Sequence, residues 1–260
     1  MKIKNIASSL SIVVMSLFIL LQGCDSNRTN LSQTNSPVPS SENTDIGKNS
    51  SITLKEIIGN EASREQKQTP DEAVINQIQW KMSNDKIISA SKQNIIGSST
   101  FGKNSLVITK LPETTLQWYN FVILTNKDQK WDLSGVIDMP IAKTLNNDKR
   151  GLALPMEEFA TASLARGGSA KNDIWAFAND NKYVVIGKYP REPIEPDSGT
   201  DNLILGERKA WIKTEVKNSF IFYFDKEYLV WISGNLTKDE MINLVNSFPP
   251  VETEKFPIAN

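Results

Sequence analysis

Phe220-Ile221-Phe222-Tyr223-Phe224, Asp225-Lys226-Glu227, Tyr228-Leu229-Val230-Trp231-Ile232: two runs of aromatic and β-branched residues flank three polar ones. Such runs suit a pleated, packed surface, and the short polar break suits a reversal of the chain. The stretch reads as a β-hairpin. Just beyond it, Thr237-Lys238-Asp239-Glu240 has the spacing of a capping box, with Leu236 and Met241 placed as a hydrophobic staple. Met241, Ile242, Leu244, Val245 and Phe248 follow at helical spacing, and Pro249-Pro250 ends the run.

Working outward, more of the chain reads as strand. Lys86–Gln93, Ser105–Leu111, Leu116–Asn126 and Lys130–Met139 form a first set, and Gly97–Asn104, Pro112-Glu113 and Asn126–Gln129 are its turns. Ile174–Phe177, Tyr183–Tyr189, Ala210–Val216, Phe220–Phe224 and Tyr228–Ser233 form a second set. Tyr189–Thr200 holds three prolines and a glycine, so it reads as a long loop. Thr69-Pro70-Asp71-Glu72 opens a helix expected to reach Met82. Pro155–Leu164 reads as a further helix, with Glu157 and Glu158 in its first turn, Arg166 at its end and Gly167-Gly168 as its stop. The expected fold class is α+β, antiparallel sheet with a few packed helices. It occupies residues 69–260 as one domain or as two subdomains, 69–150 and 151–260. A loose echo, Trp131-Asp132-Leu133-Ser134-Gly135 against Trp231-Ile232-Ser233-Gly234, keeps the second option open.

The N-terminal end has a different character. Lys2 and Lys4 precede an apolar run from Ala7 to Leu21, about 15 residues where about 20 are needed to span a bilayer. The run ends in Leu21-Gln22-Gly23-Cys24, and Cys24 is the only cysteine of the chain. A large residue at the third position before the cut does not suit an ordinary secretory site. Leu21, Gly23 and Cys24 instead match the lipobox, and the segment resembles the signal of bacterial lipoproteins. The resemblance implies removal of residues 1–23, a thioether from Cys24 to diacylglycerol, a fatty acyl (palmitate-type) group on its amino nitrogen, and a protein held at the extracytoplasmic face of a membrane. Two or more chains, at about 0.8 kcal/mol per buried CH₂, anchor stably where one does not. Asp25 resembles an inner-membrane retention signal of proteobacterial lipoproteins; in a single-membrane envelope it would carry no meaning. The hairpin and helix of 210–248 also resemble the C-terminal module of envelope lipoproteins related to lipoprotein carriers and sigma-factor regulators, which points towards binding or sensing.

Residues 24–68 read as the lipidated cysteine and a tether, because Ser, Asn and Thr dominate after Asp25 and cannot bury enough apolar surface to offset ordering entropy. A coil of about 40 residues reaches roughly 35 Å. Asn27, Asn30, Asn49 and Asn235 begin Asn-x-Ser/Thr sequons that this composition produces by chance.

The net charge is −1 and there is no histidine. Phosphate neutralisation is therefore disfavoured, so no nucleic-acid partner is expected. Ser-His-Asp and Cys-His catalysis and His-ligated metals are excluded, and no metal or other cofactor is expected. Remaining motifs are weak. Ser89 and Lys92 have the spacing of penicillin-binding enzymes, with Ser233-Gly234-Asn235 as a second motif, but Ser89 lies in a strand-like stretch and no Lys-Thr-Gly follows. Glu157 and Glu158 are adjacent and point about 100° apart on a helix. Asp197, Gly199 and Asp201 begin like a calcium loop whose later ligands are lacking. Gly167-Gly168 lacks the strand-to-helix setting of a phosphate loop. Six tryptophans are expected chiefly in sheet cores; an exposed group of them would suit a sugar or apolar ligand. The leading expectation is an accessory or binding module with an envelope protein, lipid or glycan as its partner. The alternatives are a carboxylate-dependent envelope hydrolase and a purely structural surface lipoprotein.

Overall fold

A computed structural model describes residues 51–60, 68–166 and 172–258. Cys24, Asp25, the apolar run, the sequons at Asn27, Asn30 and Asn49, and Gly167-Gly168 lie outside the described residues. Among the described residues no helix is long and apolar enough to cross a membrane.

The fold is mainly β, which corrects the α+β expectation: the described residues form three antiparallel sheets and only two α-helices. The first sheet pairs β1 (Leu54–Gly59), β2 (Ile78–Met82) and β3 (Ile87–Ser89) in that order. The second is a four-stranded meander of β4 (Ile95–Phe101), β5 (Asn104–Lys110), β6 (Trp118–Lys127) and β7 (Lys130–Pro140). The third has seven strands: β8 (Ala160–Arg166), β9 (Asn172–Ala178), β10 (Tyr183–Pro190), β11 (Asp201–Leu205), β12 (Arg208–Thr214), β13 (Ser219–Asp225) and β14 (Tyr228–Gly234). Its spatial order is β11-β12-β13-β14-β10-β9-β8.

Period-two alternation on the central strands stacks these sheets. Leu106, Ile108, Tyr119, Phe121 and Ile123 of the four-stranded sheet meet Ile174, Ala176, Val185, Leu229 and Trp231 of the seven-stranded sheet in one buried layer. The alternate residues Val107, Val122 and Leu124 face the other way, onto Ala73, Val74, Ile78 and Trp80. The outer face of the seven-stranded sheet, with Val184, Ile186, Ile221 and Ile232, is covered by Met241, Leu244, Val245 and Phe248. The sequence division near residue 150 falls where the chain passes from the second sheet to the third, and these two sheets share a buried layer.

Local chemistry explains the elements that match. The turn of β6 and β7 is Asp128-Gln129, both at positive φ (52° and 66°), as a two-residue type I′ reversal requires. Helix α1 (Pro70–Gln77) has the expected capping box: Thr69 Oγ1 accepts from Glu72 N–H and Glu72 Oε2 accepts from Thr69 N–H. Helix α2 (Lys238–Asn246) repeats it with Thr237 and Glu240. Leu236 and Met241 are both buried beside it.

Five expectations of single elements are corrected. Pro155–Leu164 is no helix: residues 160–166 form β8, because Ala160, Ala162 and Leu164 alternate towards the shared layer. Helix α1 stops at Gln77, and Ile78, Trp80 and Met82 continue as a strand with every second side chain buried. Gly97–Phe101 is not a turn but most of β4, and the strand expected over Lys86–Gln93 is only the three-residue β3 followed by a 3₁₀ turn at Lys92–Asn94. Leu54–Gly59, inside the stretch read as tether, is β1.

Candidate functional site

The order of the seven-stranded sheet forces the site into being. β10 lies beside β14, whereas the next strand in the chain, β11, is the far edge. Residues 191–200 must therefore cross four strand spacings, about 19 Å at 4.8 Å each. Ten residues span this with slack. The crossing runs over the face shared with the four-stranded sheet, and Ile194 packs into that layer. Its start is fixed by Arg191, whose N–H donates to Glu227 O (2.8 Å) and whose guanidinium donates to Lys226 O (3.0 Å). Glu192 ties it to the turn of β4 and β5, accepting from Asn104 Nδ2 (2.8 Å) and pairing with Lys103 (3.3 Å).

A cleft of about 200 Å³ remains between this crossing and the outer edge of β4. Ser98 to Phe101 form one wall, and Ile194, Glu195, Asp197 and Thr200 the other. Phe220 and Phe222 form the floor. Lys213, Glu215 and Asn218 complete the lining, and the Lys213 ammonium lies 2.8 Å from the Glu215 carboxylate. That contact holds the lysine pKa above its ordinary value. The aromatic floor continues outward: Trp211 stacks on Phe222 (5.0 Å between centroids, 12° between planes), Lys209 lies over Trp211 and Arg191 over Phe224. A shallower hollow shares Ile194 and Glu195 with the cleft and adds Arg191 and Phe224.

Beneath the cleft a buried polar cluster joins the two sheets. Asn218 Nδ2 lies 2.7 Å from Ser99 Oγ, 3.0 Å from Ser233 Oγ and 3.1 Å from Ser98 O, as donor to each. The Ser99 and Ser233 hydroxyls are 3.0 Å apart. Tyr183 closes the cluster, its hydroxyl donating to Lys217 O at 3.2 Å, and burial pushes that phenol well above the usual range. Gly97 is needed here: a Cβ at that position would stand 2.4 Å from the Tyr183 hydroxyl. The cluster is satisfied internally, so it positions β4 rather than presenting an idle nucleophile.

The motifs seen in the sequence fare differently. Ser89 ends β3 and Lys92 opens a 3₁₀ turn, so the pair does not share a helix face. Ser233 is fully buried in the cluster, and Asn235 accepts from Tyr183 N–H (2.8 Å) and donates to Asn181 O (2.8 Å). Glu157 and Glu158 are exposed, and Glu157 pairs with Lys149 at 2.9 Å. Asp197 and Asp201 part company: Asp197 lines the cleft, whereas Asp201 pairs with Lys238 at 3.1 Å. Among the described residues no group of three or more acidic side chains is placed to hold a metal. Trp80, Trp118, Trp131 and Trp231 are buried, whereas Trp175 and Trp211 are half-buried.

No single sequence signal marked the cleft. Its parts come from a stretch read as a turn, a proline-rich loop and one hairpin, and only the fold joins them. No protein-family model matches the chain. No curated protein matches it either.

Proposed function

We propose that this chain is an extracytoplasmic binding module, held to a membrane through lipid on Cys24 and presenting the cleft beside β4 to an envelope partner. The observation that carries the reading is the cleft itself: an aromatic floor and polar walls, held open by a buried cluster that ties two sheets together. A purely structural lipoprotein needs no such concavity. A carboxylate-dependent hydrolase is the second reading, favoured by Glu195, Asp197 and Glu215 lining one cleft. Among the described residues the Glu215 carboxylate is held by Lys213.

The test is photo-crosslinking in living cells with benzoylphenylalanine at Thr200, on the cleft wall. The expected result is one reproducible envelope component, captured by the full chain and lost in Cys24→Ser, which leaves the chain unanchored. Crosslinks scattered without preference, or unchanged in Cys24→Ser, would overturn the reading. Turnover of an envelope glycan or peptide that disappears in Glu195→Gln/Asp197→Asn would favour the hydrolase instead.

A further inference from the structure

We propose that the cleft takes an extended segment of a partner polypeptide bearing a lysine or arginine; the proposal rests on the reading of this chain as a binding module. Three independent features converge on it.

The first is a strand edge. β4 is the outer strand of its sheet. Phe101 and Asn104 close the two-residue turn Gly102-Lys103, so Phe101 and Ser99 direct their peptide groups inward to β5. Ser98 and Thr100 then direct theirs outward, into the cleft. The bond from Asn218 Nδ2 to Ser98 O confirms the direction and ends the available edge at that point. Thr100, exposed on the cleft wall, offers an N–H and a C=O to one residue of an added strand.

The second is the floor. In a strand paired at Thr100, the paired residue turns its side chain away from the seven-stranded sheet, and its neighbours turn theirs towards it. Such a neighbour meets Phe220 and Phe222, surfaces suited to an aliphatic stem and attractive to a cation.

The third is charge. Among the described residues Glu195, Asp197 and Glu215 line the cleft with Lys213 as its one cation; Lys213 pairs with Glu215 and also lies in the field of Asp197. Among the described residues no ion pair holds Glu195 or Asp197. A basic side chain crossing the floor supplies the missing charge, whereas a phosphate or carboxylate ligand would meet repulsion. A neutral sugar would leave both the strand edge and this imbalance unused.

The test uses the full chain in detergent and a fluorescent acetyl-Thr-Val-Lys-Val-Thr amide, read by anisotropy at low salt. Lys→Gln in the peptide, and N-methylation of the valine before the lysine, should each weaken binding about tenfold. Glu195→Gln/Asp197→Asn in the protein should do the same, with an unchanged circular dichroism spectrum, and the effect should shrink as salt rises. Equal binding of the Gln or N-methyl peptide would overturn the proposal, as would preferential binding of a chitin oligosaccharide. Should the peptides fail while Thr200 still crosslinks an envelope component, this proposal falls and the binding-module reading stands. Failure of both removes both.

Discussion

Trp231 lies against the backbone of Gly187, its direct cross-strand partner, so closely that a Cβ at Gly187 would stand 2.1 Å from Trp231 Cε2. The indole fills the space a side chain would take and continues onto Phe101 (4.7 Å) and Tyr189 (5.7 Å). It thereby joins β10 and β14 to β4 across the shared layer. Among the described residues its Nε1 has no hydrogen-bond partner. Gly187→Ala should therefore cost about 1–3 kcal/mol, the range of overpacked cores. Adding Trp231→Phe should return part of that loss, because the smaller ring makes room and leaves no polar nitrogen behind. Urea denaturation of the two single variants and the double variant measures this coupling.

Asn218 holds the cleft open from below. Asn218→Ala removes the donor shared by Ser99, Ser233 and Ser98 O and leaves buried groups unpaired. The expected cost is about 1–3 kcal/mol by urea denaturation. Hydrogen exchange should speed up in β4 before it does in β9 or β10. Uniform exchange across all three would show that the cluster does not position β4.

Glu240 links the α2 cap to the sheet. Burial acts to raise its pKa, but the hydrogen bond from Lys182 and the capping bonds from Thr237 outweigh it and hold the carboxyl below its ordinary 4.5. A depressed acid contributes stability above its unfolded pKa and loses it as pH falls through the folded one. Glu240→Gln should therefore lose its disadvantage relative to wild type as pH falls below about 4.5. Thr237→Ala, which removes only the cap, should cost about 1 kcal/mol.

Asp138 should show the opposite sign. Its residue is exposed, yet its carboxyl is desolvated where Oδ1 accepts from Trp118 Nε1 and from Asn120 Nδ2 at 2.8 Å. Desolvation of the carboxyl at these contacts outweighs the two bonds and pushes the group up to about 6. A raised acid binds its proton more tightly when folded, so stability falls as pH rises from about 4 to about 6. Asp138→Asn keeps the amide oxygen as acceptor and has no proton to lose. It should gain on wild type across that window, measured by thermal melting at pH 4 and pH 7; a constant difference would contradict the assignment.

What the sequence disclosed and what it hid follow from the range of the forces involved. Caps at Thr69 and Thr237, the Asp128-Gln129 turn and the β13–β14 hairpin are local, and each element forms where its residues indicate. β8 was hidden because Pro155, Glu157, Glu158 and the alanines Ala160, Ala162 and Ala165 carry helix preference, which pairing with β9 overrides. β4 was hidden because Gly97-Ser98-Ser99-Thr100 is polar and small. It is a strand only because β5 pairs with it and Asn218 and Tyr183 reach it from residues far along the chain. The cleft is wholly of this second kind, a product of strand order rather than of any motif.

The most direct test of the lipid-anchored binding module is the mass of the N-terminal peptide of the protein isolated from its own membranes. A lipid-anchored protein should start at Cys24 and carry diacylglycerol in thioether linkage on Sγ. A peptide that still contains Leu21-Gln22-Gly23, or a Cys24 with a free thiol, would contradict it.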